Sequence, residues 1–128
     1  MKPRIIKTGI AEYEVAHFPG TDPSGIVPLG DELIVKLDKI MEKTSGGILL
    51  PEAKQDEMAE AAETGVVFAV ADGAFAWTRD RTRPFSGRKP EPGDRVAMVR
   101  WAGIKVLGED GEWYQAISDG SVYAILWQ

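Results

Sequence analysis

The chain has 128 residues, 44% of them hydrophobic, which suits one folded domain and argues against wholesale disorder. It has no cysteine and one histidine, His17, which excludes disulfides, thiolate metal sites, cysteine nucleophiles and the usual multi-histidine zinc site. The net charge of -5 lacks the cationic footprint of a duplex-binding protein, and no stretch approaches the roughly 20 apolar residues of a membrane span.

Residues 1–9 carry Lys2, Arg4 and Lys7 without an apolar core or a small-residue cleavage site, so no secretory signal is expected. Together with the missing cysteines this points to the cytoplasm, or to the host cytoplasm for a viral protein. Pro19-Gly20 and Asp22-Pro23-Ser24-Gly25 set residues 1–25 apart as an N-terminal extension ahead of a domain over 26–128. Within the extension, residues 10–18 suit an added strand and residues 1–9 a loose tail. Residues 32–37 place Leu33, Val35 and Leu37 on one strand face, with Glu32 and Lys36 on the other.

Residues 27–63 hold four basic and nine acidic groups, so the whole negative excess lies there. Gly46-Gly47 gives backbone freedom ahead of three adjacent apolar side chains, Ile48, Leu49 and Leu50, and then Pro51. Pattern alone leaves two readings open for this triplet, an exposed binding run and a short buried strand. Residues 53–63, AKQDEMAEAAE, are rich in helix formers but lack a core-facing stripe, and suit a partly helical excursion between two strands.

Residues 65–71 are nearly all apolar and predict a buried strand. Residues 79–89 carry five basic groups and one acid, with Phe75, Trp77 and Phe85 close by. Charge beside aromatic rings suits single-stranded nucleic acid, although a solvated hairpin tip is the plainer reading and the rest of the chain supplies no basic groove. A Pro90-Glu91-Pro92-Gly93-Asp94 turn leads into further strands over 95–101, 104–107, 112–117 and 122–127. The links 108–111 and 118–121 look like hairpin turns. Many short strands with tight turns and no long helical period predict an all-β fold, a small antiparallel barrel or sandwich. Acid pairs such as Glu12/Glu14 and Asp56/Glu57 suit solvated faces, so no catalytic residue, metal ligand or cofactor is assigned.

The order of features from Val27 onward resembles the GroES co-chaperonin family. Val27-Pro28-Leu29-Gly30-Asp31 is similar to its opening strand, with a Pro-Leu-x-Asp start, and Gly46-Gly47-Ile48-Leu49-Leu50 to its mobile loop. Residues 65–73 resemble the strand entering the roof hairpin, and Pro92-Gly93-Asp94-Arg95-Val96 the turn into the next strand. Gly103-Ile104-Lys105-Val106 and the terminal Val122-Tyr123-Ala124-Ile125-Leu126 follow in the family order. These features in one order are far more specific than any one of them. Residues 1–25, the lengthened loop and the long basic roof segment depart from the pattern and suit a divergent member, such as one carried by a bacteriophage. Members of this fold also occur in zinc alcohol dehydrogenases, but the chain lacks their cysteine ligands and a Gly-x-Gly-x-x-Gly segment.

The resemblance implies a GroES-like β-barrel with a mobile loop over about 39–63 and a roof hairpin over about 73–90. Gly46, Gly47, Ile48, Leu49 and Leu50 would dock onto a GroEL-type chaperonin ring. The protein would be a heptamer that encloses client protein for folding driven by the chaperonin's ATP hydrolysis. Val27, Leu29, Ile125 and Leu126 would meet across subunits, and Phe75, Trp77, Arg79, Arg81 and Arg83 would form the roof. Pairing of 27–29 with 124–127 inside one subunit is the alternative for the seam. A β-barrel binding module or viral structural protein using the roof segment is the alternative for the whole chain.

Overall fold

A computed structural model describes residues 4–7, 12–41 and 63–126 of the chain. Its strands are β1 (Arg4–Lys7), β2 (Glu12–Val15), β3 (Glu32–Leu37), β4 (Lys39–Met41), β5 (Glu63–Val70), β6 (Arg95–Met98), β7 (Ile104–Leu107), β8 (Trp113–Ser118) and β9 (Val122–Ile125). All pairing is antiparallel, in a six-stranded sheet of order β7-β8-β3-β5-β6-β9 and a three-stranded sheet of order β1-β2-β4. The larger sheet curls around a core of Leu33, Val35, Val67, Phe75, Val96, Met98, Ile117 and Val122. This is the expected all-β fold. The only helical element among the described residues is a 3-10 turn over Asp119–Ser121.

Alternation explains most of the large sheet and fails at one informative place. Leu33 and Val35 point into the main core as their period of two requires. Ile34 points the other way, yet it too is buried, in a second cluster with Val66, Phe68 and Tyr114. Residues from the extension and the segment after it cover that cluster, since Ala16, Phe18 and Ile26 pack on it. Phe18 meets Phe68 edge-on at 5.0 Å between ring centroids, and Phe68 meets Tyr114 at 5.1 Å. Such pairs add to the area they bury. Both faces of the sheet are therefore dry at β3 and β5, which is why β5 reads as a continuous apolar run.

Residues 1–9 are not simply a loose tail, because Arg4–Lys7 pairs with Glu12–Val15, with Ile5 opposite Glu14. The link 118–121 is not a hairpin turn either. The strands β8 and β9 do not pair with each other, and β9 lies against β6 instead, with Val96 opposite Ile125. Asp119 explains the crossing. It is buried, its N–H donates to the Asp31 carbonyl at 3.0 Å, and its carboxylate accepts the Phe75 N–H at 2.8 Å. The turn is thus held down onto the core rather than free to reverse the chain. The link 108–111 does close a hairpin, β7 against β8.

Glycine is required where these turns run tight. Gly93 of the Pro-Gly-Asp turn has φ +96, a left-handed conformation that glycine adopts at little cost. Gly103 combines φ +71 with a close approach to β8, where a Cβ would sit 1.9 Å from the Ala116 carbonyl oxygen.

Candidate functional site

The docking residues expected from sequence, Gly46, Gly47, Ile48, Leu49 and Leu50, lie outside the described residues. Their frame does not. The segment is bounded by β4, which ends at Met41, and by β5, which begins at Glu63. Part of the span expected for the loop, residues 39–41 and 63, is strand.

The first stem leaves the large sheet at Leu37 and joins the small one, where Tyr13 stands opposite Ile40 and Glu14 opposite Lys39. Asp38 sits at the changeover. One of its carboxylate oxygens accepts the Ala16 N–H at 2.8 Å. The other accepts the Thr64 hydroxyl at 2.6 Å and an Arg95 guanidinium N–H at 2.7 Å. The Asp38 N–H also donates to the Thr64 carbonyl at 2.9 Å. With side-chain exposures of 2% for Asp38 and 6% for Arg95, the pair is buried, and its charge-assisted bonds are strongly directional. A buried pair is weak evidence for stability in itself but fixes geometry firmly, because removing one partner leaves a charge without compensation.

At the second stem the Glu63 carboxylate accepts the Trp101 N–H at 2.7 Å. Trp101 has φ +65, an uncommon conformation for a side chain of that size, and is 80% exposed. The Arg100 guanidinium lies over its ring at 5.0 Å.

Among the expected seam residues, Val27 and Leu29 are each 78% exposed and belong to no strand. Ile125 packs against the core, while the Leu126 N–H donates to the Arg95 carbonyl at 2.7 Å. Residues 27–29 are not paired with β9 within the described chain, whose ladder runs to β6 alone.

The expected roof residues separate into two groups. Phe75 is buried and packs against Phe85 at 6.0 Å in the core, so it offers no stacking surface. Trp77, bridged to Pro84, is half exposed and Arg83 is exposed, its carbonyl accepting the Thr78 N–H. Arg79 donates to the Val122 carbonyl at 3.0 Å and lies over the Tyr123 ring at 4.3 Å. Arg81 bridges the carboxylates of Asp31 and Asp119. These internal contacts engage two of the cations on which a nucleic-acid reading relied. At the tip, hydroxyl donation from Thr78 and Thr82 holds the Asp80 carboxyl down at about 2.

An open depression of about 740 Å³ is lined by residues of both the extension and the large sheet. Arg4, Lys36, Lys39 and Arg95 are mixed there with Glu14 and Glu112, so it has no single-sign field, and exposed His17 lies at its edge. Among the described residues no cluster of His, Asp and Glu could hold a metal ion, and no helix is long and apolar enough to cross a membrane.

Sequence reading missed Phe18 and Asp38 as supports. Phe18 carried a signal, an aromatic closing a strand-like stretch. Asp38 carried none, since its partners Ala16, Thr64 and Arg95 are scattered along the chain.

Comparison with known proteins agrees with this geometry. The family described as Chaperonin 10 Kd subunit matches residues 25–126, starting where the extension ends. The chain is 34% identical over 101 residues to the co-chaperonin GroES of Holospora obtusa, covering 77% of this chain and 94% of that one. It is 38% identical over 85 residues to the co-chaperonin GroES of Hyphomonas neptunium, covering 65% and 80%. It is 32% identical over 99 residues to that of Bacillus sp. (strain PS3), covering 77% and 96%.

Proposed function

The chain belongs to the chaperonin 10 kDa subunit family, the GroES-type co-chaperonins, and from that premise we propose that it caps a GroEL-type chaperonin ring through its 39–63 loop. Its function is that of a co-chaperonin. In the proposed mechanism Gly46 and Gly47 give the loop freedom, and Ile48, Leu49 and Leu50 enter an apolar groove of the partner. Ordering a loop on binding weakens each contact. A ring restores affinity, because once one loop is held the others bind at high effective concentration. The capped chamber encloses client protein, and ATP hydrolysis stays with the chaperonin. We place the work in the cytoplasm and give the chain no catalytic step or cofactor of its own.

The observation that carries this reading is the family match over 25–126, whose strands flank the Gly-Gly-Ile-Leu-Leu segment on both sides. The seam proposal, 27–29 against β9 of a neighbour in a heptamer, is supported by the exposure of Val27 and Leu29 and by the second edge of β9, which carries no partner among the described residues. Strand edges left open are otherwise an aggregation hazard.

Native mass by light scattering, then mixing with chaperonin and ATP, tests the proposal. A seven-subunit particle that forms a nucleotide-dependent complex is expected, and Leu49→Glu is expected to abolish that complex while the ring persists. A monomer that binds only oligonucleotide would overturn the reading in favour of a binding module.

A further inference from the structure

We propose that residues 12–41 form a clamp that sets where and in what direction the docking loop leaves the molecule, with Asp38 as the positioning residue. This rests on the loop reading above.

A continuous run of contacts leads from the sheet to the loop's first stem. Phe18 is seated on Phe68, the Ala16 N–H is held by the Asp38 carboxylate, and β2 then carries β4 on its edge. The same carboxylate takes the Thr64 hydroxyl, one residue inside the second stem, and Arg95 of β6. One buried group thus joins the extension, both stems and the large sheet. The pairing of β3 with β5 already closes the sheet at Leu37 and Gly65. Neither β4 nor its ladder to β2 is needed for that closure, so the added sheet has a different use.

Its consequence is geometric. The triplet that starts at Ile48 is tethered to Met41 by residues 42–47, a reach of about 25 Å at full extension. Fixing β4 fixes the centre of that reach. It also orders residues 39–41 before docking, so the entropy of ordering them does not weaken the contact with the partner. β1, β2 and Phe18 all precede the stretch that the family profile matches, so the extension adds this half of the clamp to the β4 and Asp38 that lie within that stretch.

Two full-length variants test this. Tyr13→Pro places proline in the central strand of the small sheet, opposite Ile40, where it breaks the ladder but leaves Asp38 intact. Asp38→Asn removes the charge at the junction. Docking to a GroEL-type chaperonin with ATP, particle mass and amide hydrogen exchange are measured on each. Both variants are expected to weaken docking by roughly tenfold, since every loop of the ring carries the penalty. Exchange at 39–41 is expected to accelerate while β6 and β8 stay protected and the particle mass is unchanged. Normal docking by Tyr13→Pro despite fast exchange at 39–41 overturns the clamp. If Asp38→Asn strips protection from β6 and β8 as well, Asp38 is a folding residue, and Tyr13→Pro alone decides. Leu49→Glu separates the two readings: if it docks normally, the loop reading falls and the clamp with it. If it fails to dock while Tyr13→Pro docks normally, only the clamp is lost.

Discussion

At the centre of the six-stranded sheet, along β3 and β5, both faces are buried, but by different parts of the chain. The inner face closes on itself, with Leu33, Val35, Val67, Val96 and Ile117 meeting around Phe75. The outer face, Ile34, Val66, Phe68 and Tyr114, is covered from outside by Ala16, Phe18 and Ile26. The inner core arises wholly within the stretch shared with the family, whereas two of the three outer covers lie before it. The extension, which the sequence sets apart from the domain, is therefore part of the packing. It then has a rigid base from which to reach the loop stem.

The sharpest way to break this comparison is to truncate neighbours on opposite faces. Phe68→Ala is expected to cost about 3–5 kcal/mol if the outer cluster is a true core. A cost near that of an exposed site, read by denaturant unfolding, would reduce the extension to a loose cover. Leu33→Ala on the inner face is expected to cost about 2–5 kcal/mol whatever the state of the extension. A chain lacking residues 1–23 should lower the cost of Phe68→Ala and leave that of Leu33→Ala unchanged, a coupling that a double-mutant cycle measures.

Phe18→Ala should cost about 1–3 kcal/mol, since Phe18 is only half-buried and its ring contact with Phe68 is lost together with covered area. Unfolding midpoints that do not move would contradict the packing role. Smaller still is the hairpin's ionic tie. Arg81→Met should cost about 1–2 kcal/mol, because Arg81 is exposed but the Asp119 carboxylate it serves is buried. The loss should show as faster exchange over 76–85 together with a lowered unfolding midpoint, a shift of roughly 3–10 °C for a domain of this size.

The smallest effect concerns pH at the rim of the outer face. The Tyr114 hydroxyl donates to Asp110 at 2.6 Å. Burial first, and that bond second, push the hydroxyl well above the ordinary tyrosine range. The same bond holds the Asp110 carboxyl below its usual value. The Tyr114 contribution is complete below about pH 10, where an unfolded tyrosine is still neutral, and is lost as pH rises beyond it. That of Asp110 is complete above about pH 4 and is lost as pH falls through its lowered value. Tyr114→Phe should remove the alkaline part, and an absorbance titration in which Tyr114 ionises normally would refute the assignment.

The strand positions of the large sheet, the all-β class and the family likeness were legible in the sequence. They depend on period-two patterning, turn residues and the linear order of short motifs, all of which are local. Ile34 shows the limit of that reasoning. Alternation places it on the face opposite Leu33 but does not say that Phe18 and Tyr114 will keep water off it. Serine, aspartate and glycine at 118–121 suggested a hairpin. The tertiary structure instead sends β9 to β6, because Asp119 is captured by the Phe75 N–H and Arg81. Asp38 is the extreme case, an acid at a strand end with nothing to mark it, whose partners lie 22, 26 and 57 residues away. The sequence by itself determined the strands of the large sheet and the family the chain belongs to, whereas β1 and β4 of the small sheet were expected as tail and loop. Only the tertiary structure decided what covers the second face and what holds the loop's stems, since both depend on contacts between residues that are far apart in the chain.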